Sequence, residues 1–229
     1  MIASDASVSL KACIGRLLLT YVTLTAALYA CGAAYSEWWC GLFYQVSRLI
    51  PADVGAVALD THHTKGEAVF RLQAVTRIDL PVAQQRIPPG LGLESTTLQA
   101  YAQLHPILIC SVLMAWPAGF GRRVVLGLVG VVGVVVATLL DIPFTLMGVA
   151  QISVEAVTDT HESWLGFYYR FLQQGGRQVL SLVIAIIVIA LVQNTCKRTP
   201  RAIHQGKSTT KETLEEHDVV GVLGTELER

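Results

Sequence analysis

A chain of 229 residues with 52% hydrophobic and only 15% charged residues cannot expose all of itself to water, because soluble domains carry about 25% charged residues. Seventeen basic and seventeen acidic side chains cancel to a formal charge of zero. That balance removes the field expected of a nucleic-acid binder, and the composition predicts a polytopic, mainly α membrane protein with four transmembrane helices.

Residues 1–16 read as a cytoplasmic N-terminus carrying Lys11 and Arg16. The first span, 17–37, is apolar and is closed by Trp38 and Trp39 in the manner of an interfacial belt. Leu28-Tyr29-Ala30-Cys31 loosely resembles a lipoprotein signal box. Tyr29 stands where a small residue belongs, and the apolar run continues past Cys31, so an uncleaved anchor is expected.

Residues 38–103 form the longest stretch outside the predicted spans, an extracytoplasmic insertion expected to contain a β-hairpin. Phe70, Leu72, Ala74, Ile78 and Leu80 alternate with Arg71, Gln73, Arg77 and Asp79, the period of a half-buried strand. Val54 to Leu59 supplies a second strand, and His63-Thr64-Lys65-Gly66 the turn between them. Pro81, Pro88, Pro89, Gly90 and Gly92 predict a stiff loop. Ser95 or Thr96 is then placed to cap a helical lead-in from Thr97 to Leu104. A two-stranded hairpin is marginal in water, so it must pack on the membrane surface, on a later loop or on another chain.

The second span is 104–120 and the third 124–149, separated by a cytoplasmic loop, 121–123, containing Arg122 and Arg123. Residues 150–176 form an outer loop, in which Trp164, Leu165, Phe167, Tyr168, Phe171 and Leu172 share one side of a helix expected to lie in the interface from Ser163 to Gln174. The fourth span, 177–194, precedes a polar tail, 195–229, with Lys197, Arg198, Arg201 and a short helical stretch from Thr210 to His217. With four spans the basic clusters fall on one side, which puts both termini in the cytoplasm.

Asp141 lies roughly 26 Å along the third span from Val124, at 1.5 Å per residue. His105, Arg177 and Glu37 fall at the same level on the other three helices. Charges at membrane depth face the bundle and pair. Interfacial anchoring or a structural Asp141–Arg177 pair is the plainer account; a polar cluster that binds or orients something is the sharper one. Pro143, two residues from Asp141, frees backbone carbonyls nearby.

Other chemistry finds little footing. A membrane cysteine transpeptidase would need Cys40, His105 and Arg177 together, yet Cys40 sits in no nucleophile motif and Cys110 lies in an apolar helix. The five cysteines form no C-x-x-C pair, and only Cys31 and Cys40 fall where a disulfide is conceivable. His62, His63 and Glu67 suggest a metal only on paper, since adjacent strand residues point to opposite faces and a turn accounts for them. No metal or cofactor site is expected. Gly127, Gly130 and Gly133 give the third span a smooth side for a neighbouring helix. A carrier would need a polar path, and the fourth span offers only Ser181 between Gln178 and Gln193.

Leu104-His105-Pro106, Ala115-Trp116-Pro117, Asp141-Ile142-Pro143-Phe144 and Gly175-Gly176-Arg177, in this layout of spans, resemble the exosortase H-associated membrane proteins. The resemblance covers about a third of the chain, from the second span to the start of the fourth. It implies an accessory role in sorting envelope proteins at the bacterial inner membrane, without the proteolysis. The sequence therefore predicts a non-catalytic accessory subunit whose partners are the lipid bilayer and another membrane protein, with Phe70, Trp164, Phe167, Tyr168 and Phe171 as the docking surface. A membrane enzyme using His105, Asp141 and Arg177, or a small-molecule carrier component, is the alternative.

Overall fold

No proline interrupts residues 10 to 49, and Pro51 stands just beyond them, so a single helix of 40 residues forms, α1 (Leu10–Leu49). The computed structural model describes residues 10–64, 66–82, 85–158 and 163–197. The part of α1 from Leu10 to Gly32 is apolar and long enough to cross a membrane. Beyond it, Tyr35, Trp39 and Phe43 recur every four residues and so share a face. Their rings are 5.9 and 5.3 Å apart, and Phe43 meets Phe70 of the sheet at 5.2 Å. Residues 38–49, expected in the strand-rich segment, are thus helical. The aromatic column continues α1 until it supports the sheet.

The hairpin forms, with longer strands than expected: β1 (Val54–Thr64) pairs antiparallel with β2 (Glu67–Thr76), with a register shift between Ala56 and Ala58. His62 and His63 belong to β1 rather than to a turn, and Gly66 takes the positive φ (+84°) that the tight reversal needs. Phe70, Leu72 and Ala74 are buried on β2 as the alternation requires. Beyond Thr76 a tiny ladder forms, β3 (Leu80–Val82), which contains Pro81, with β4 (Gln85–Ile87), which Pro88 follows.

The largest departure is β5 (Gly92–Leu98), which pairs antiparallel with β2 and gives the order β1-β2-β5. The sequence predicts a loop end and a helical lead-in there. Ser95 and Thr97 instead turn inward on the strand while Glu94 and Thr96 stay exposed. The helix starts directly at Gln99, with Leu98 at the N-cap position and no side-chain cap. This third strand gives the hairpin the support that two strands lack.

The helix α2 (Gln99–Ala115) stops before Trp116-Pro117, where Trp116 is extended as a residue before proline prefers. Arg122 and Arg123 lie in the first turn of α3 (Phe120–Thr158), so the connection is 116–119 rather than 121–123. Ser163 accepts from the Gly166 amide at 3.1 Å and caps α4 (Trp164–Phe171). A wide turn, Leu172–Gly176, then leads into α5 (Arg177–Lys197).

Three segments are long and apolar enough to cross a membrane, Leu10–Gly32, Phe120–Thr158 and Trp164–Thr195, and α2 is a shorter apolar helix. Small residues set the helix spacing. A Cβ on Gly130 would lie 2.5 Å from Leu113, and one on Gly133 2.9 Å from Ile184, whereas Gly127 faces open space and takes no part. The sheet is tied to α3 by a two-way clasp. The Gln151 amide donates to Asp53 at 2.8 Å, and the Asp53 backbone N–H donates to Gln151 at 3.1 Å. One compact unit ends at Val192 and a second begins at Gln193. The predicted Thr210–His217 helix lies outside the described residues.

Candidate functional site

Two local devices bring the polar residues together. In α2, Pro106 removes the amide that would bond the Ala102 carbonyl, and the Tyr35 hydroxyl of α1 donates to that carbonyl instead, at 3.4 Å. His105, beside the proline, is fully buried. Between α4 and α5, Gly175 adopts φ +100°, and a Cβ on Gly176 would lie 2.5 Å from the Phe171 carbonyl oxygen. This Gly175-Gly176 break restarts the helix so that Arg177, its first residue, turns inward with 4% exposure.

Asp141 of α3 is the centre. Arg177 Nε donates to both carboxylate oxygens, at 3.0 and 2.9 Å. Thr145, one turn on, donates to Oδ1 at 2.9 Å and accepts from Arg177 Nη2 at 3.1 Å. His105 Nε2 stands 2.9 Å from Oδ2, and its Nδ1 stands 2.8 Å from Ser181 Oγ on α5. The Ser181 hydroxyl donates to the Arg177 carbonyl at 3.0 Å, which ties the network back to the first turn of α5. The Tyr101 ring covers the guanidinium, with Arg177 Cζ 3.8 Å from its centroid. His105, Asp141 and Ser181 are wholly buried and Thr145 is 1% exposed.

No protein-family model, curated protein or solved structure matches the chain.

Of the four groups expected at one level, then, three converge and Glu37 does not. Glu37 is exposed on α1 and lines a separate cavity. Axial depth on four helices says nothing about rotation around each axis, and α1 turns Glu37 away from the network. Thr145, Tyr101 and Ser181 complete the shell. Thr145 was readable as the i+4 neighbour of Asp141; Tyr101 and Ser181 carry no comparable signal.

The expected docking residues divide. Phe70 is fully buried between the sheet and Phe43, so it presents no surface. Tyr168 is half-buried against Phe144 and donates to the Leu140 carbonyl at 3.1 Å, next to the carbonyl that Pro143 deprives of its helical donor. Trp164, Phe167 and Phe171 are exposed. Burial, with the charges of Asp60 and Glu37 adding to it, pushes the Cys40 thiol up to about 11, so it is a poor nucleophile at neutral pH. Cys31 and Cys40 lie on one continuous helix, roughly 13 Å apart along its axis, beyond the reach of a disulfide; both are free.

A cavity of about 350 Å³ ends against Tyr101, Thr145 and Gln173, the side chains that surround the Arg177 guanidinium, and is otherwise lined by residues including Thr96, Thr97 and Tyr169.

Proposed function

We propose that this chain is a four-span, non-catalytic accessory subunit of a bacterial inner-membrane complex, with both termini cytoplasmic and the three-stranded sheet on the outer side. The observation that supports this reading is that the His105–Asp141–Arg177 network bonds α2, α3 and α5 to one another, with its members at most 4% exposed. Groups arranged in this way lock helices together. The exposed aromatic side of α4, with Trp164, Phe167 and Phe171, is the surface for the partner. Resemblance to the exosortase H-associated proteins supports envelope protein sorting alongside an exosortase as the setting.

Copurification from native membranes with a photocrosslinker at Phe167 tests the reading. A discrete membrane-protein adduct is expected, lost when Trp164 and Phe171 are both replaced by Ser. A chain that runs alone with no adduct overturns it. A second reading, an enzyme with a polar site at the outer face, draws on the cavity ending at Tyr101, Thr145 and Gln173. Under that reading Asp141→Asn abolishes an activity while the fold and the complex persist. Under ours it weakens the fold and the complex together.

A further inference from the structure

The cavity of about 350 Å³ that ends on the side chains around Arg177 reaches across to the β1–β2 hairpin and β5, a volume within the range of small-molecule sites. Its floor has a fixed geometry. The Tyr101 ring centroid lies 3.8 Å from Arg177 Cζ, Thr145 accepts from Nη2 at 3.1 Å, and Gln173 accepts from Nη1 at 3.5 Å. One planar guanidinium therefore sets the separations of three lining side chains. Tyr169 is held from another side, since it packs so tightly on Gly148 of α3 that a Cβ there would lie 2.7 Å from its own Cβ. Six of the eleven described residues that line the cavity carry a hydroxyl group, and several of these groups are unspent. Thr97 is 6% exposed, yet its hydroxyl makes no hydrogen bond to a described residue, and neither do those of Tyr101 and Tyr169. Hydroxyls so enclosed cost stability unless water or a ligand satisfies them.

Charge decides the class of ligand. Glu67 is the one charged side chain among the described residues lining the cavity, and Arg177, behind the floor, is already engaged by Asp141. An anion finds no free cation there, and an organic cation finds a single exposed carboxylate. A metal ion finds no three His, Cys, Asp or Glu side chains together among the described residues. Each free hydroxyl both donates and accepts. A ligand displaces the water on such groups without loss only if it reproduces that mixture, which a polyol does. Val69, Leu98 and Val149 add apolar surface to the lining. We propose that this cavity binds the neutral, polyhydroxylated ring of a glycosyl group, with its hydroxyls on Thr97, Tyr101, Tyr169 and Glu67 and its C–H surface against the aliphatic side chains. Two sources share this chemistry, a free saccharide and the headgroup of a glycolipid. The site is independent of which complex the chain joins.

The test uses the full chain purified in octaethylene glycol dodecyl ether, a detergent without a sugar. It is titrated calorimetrically with the hexyl glycosides of glucose, galactose, mannose and N-acetylglucosamine, and with 2-hexyloxytetrahydropyran, which has the ring but no hydroxyls. Saturable binding of at least one glycoside at one site is expected, with the hydroxyl-free ether at least tenfold weaker. T97V/Y169F removes two lining hydroxyls and keeps the shape. It should weaken the glycoside at least tenfold, the worth of one to two hydrogen bonds, and leave the ether and the thermal melt unchanged. Should that variant melt lower, Tyr101→Phe, which keeps its ring on Arg177, takes its place with the same loss expected. Glu37→Gln, which lies at the other cavity, should leave the affinity unchanged. No glycoside bound, equal binding of the ether, an unchanged affinity in the hydroxyl variants or a loss in Glu37→Gln overturns the proposal. Displacement by the methyl glycoside of the same sugar as readily as by the hexyl form identifies a free saccharide. Displacement by a dialkyl glycolipid with that headgroup, and not by the methyl glycoside, identifies a lipid. Displacement by neither overturns the assignment to a glycosyl group.

Discussion

Among the described residues two arginine–aspartate pairs occur, and the shorter one is the weaker. Arg71 and Asp60 face each other across β1 and β2 at 2.6 Å, with Glu94 of β5 3.9 Å away, and their side chains are 26% and 47% exposed. Arg177 and Asp141 meet at 2.9 Å with exposures of 4% and 0%. Water screens the first pair and competes for its hydrogen bonds, so it contributes little. The second pair has no water to fall back on. Its formation costs desolvation, but the loss of either partner strands an unpaired charge among apolar helices. Surroundings, rather than contact distance, decide what an ion pair does.

The largest expected effect breaks the buried pair on one side. Asp141→Ala should destabilise the fold by about 3–5 kcal/mol, read as a lowered unfolding midpoint in detergent. Arg177→Met should cost a similar amount. The double variant Asp141→Leu/Arg177→Met removes both charges and should lose much less than the two single losses summed, because nothing charged is left unpaired. Additive losses would show that the pair is not a closed unit. A double variant that folds and assembles normally would also remove the case for chemistry at Asp141.

A smaller effect is expected at the break that delivers Arg177. Gly176→Ala places a methyl group 2.5 Å from the Phe171 carbonyl oxygen and 2.6 Å from its ring. The ring can turn but the backbone cannot, so the start of α5 must shift, at about 1–3 kcal/mol. Gly127→Ala on α3 meets nothing within 4 Å and serves as the control. Equal midpoints for the two alanine variants would mean that the break does not hold Arg177 in place.

The same contrast explains what was legible in the sequence. A lone Asp141 in a long apolar run, with Arg177 at matching depth, announces a pair because the alternative is an unpaired charge. The hairpin announces itself through the alternation of Phe70, Leu72 and Ala74, which one face of water enforces locally. The third strand does not. Pro88, Pro89 and Gly90 look like a loop, Ser95 and Thr96 look like caps, and only the open edge of β2, roughly twenty residues away, turns Gly92–Leu98 into a strand. The Asp53–Gln151 clasp is likewise invisible, since its partners are 98 residues apart and neither is unusual alone. The sequence assigns Phe70 to a contact surface because a two-stranded hairpin needs something to cover its apolar face. The aromatic column of α1 that covers it becomes apparent only once α1 extends through residues 38–49.

The smallest effect tests the exposed pair through pH. The hydrogen bond from Arg71, aided by its charge, holds the Asp60 carboxyl below its usual value of 3.8. A carboxyl depressed in the folded state binds a proton less readily there than in the unfolded chain. Its contribution is therefore complete above the unfolded value and disappears as the pH falls through the lower, folded one. Asp60→Asn should leave stability almost unchanged at pH 7, since the pair is screened. The small deficit it does show should shrink to nothing as the pH is lowered below about 4, and added salt should shrink it at neutral pH as well. A deficit that matched Asp141→Ala, or that persisted in acid and in salt, would mean that the sheet's surface is shielded from water, by a partner or by the membrane, and the contrast between the two pairs would fail.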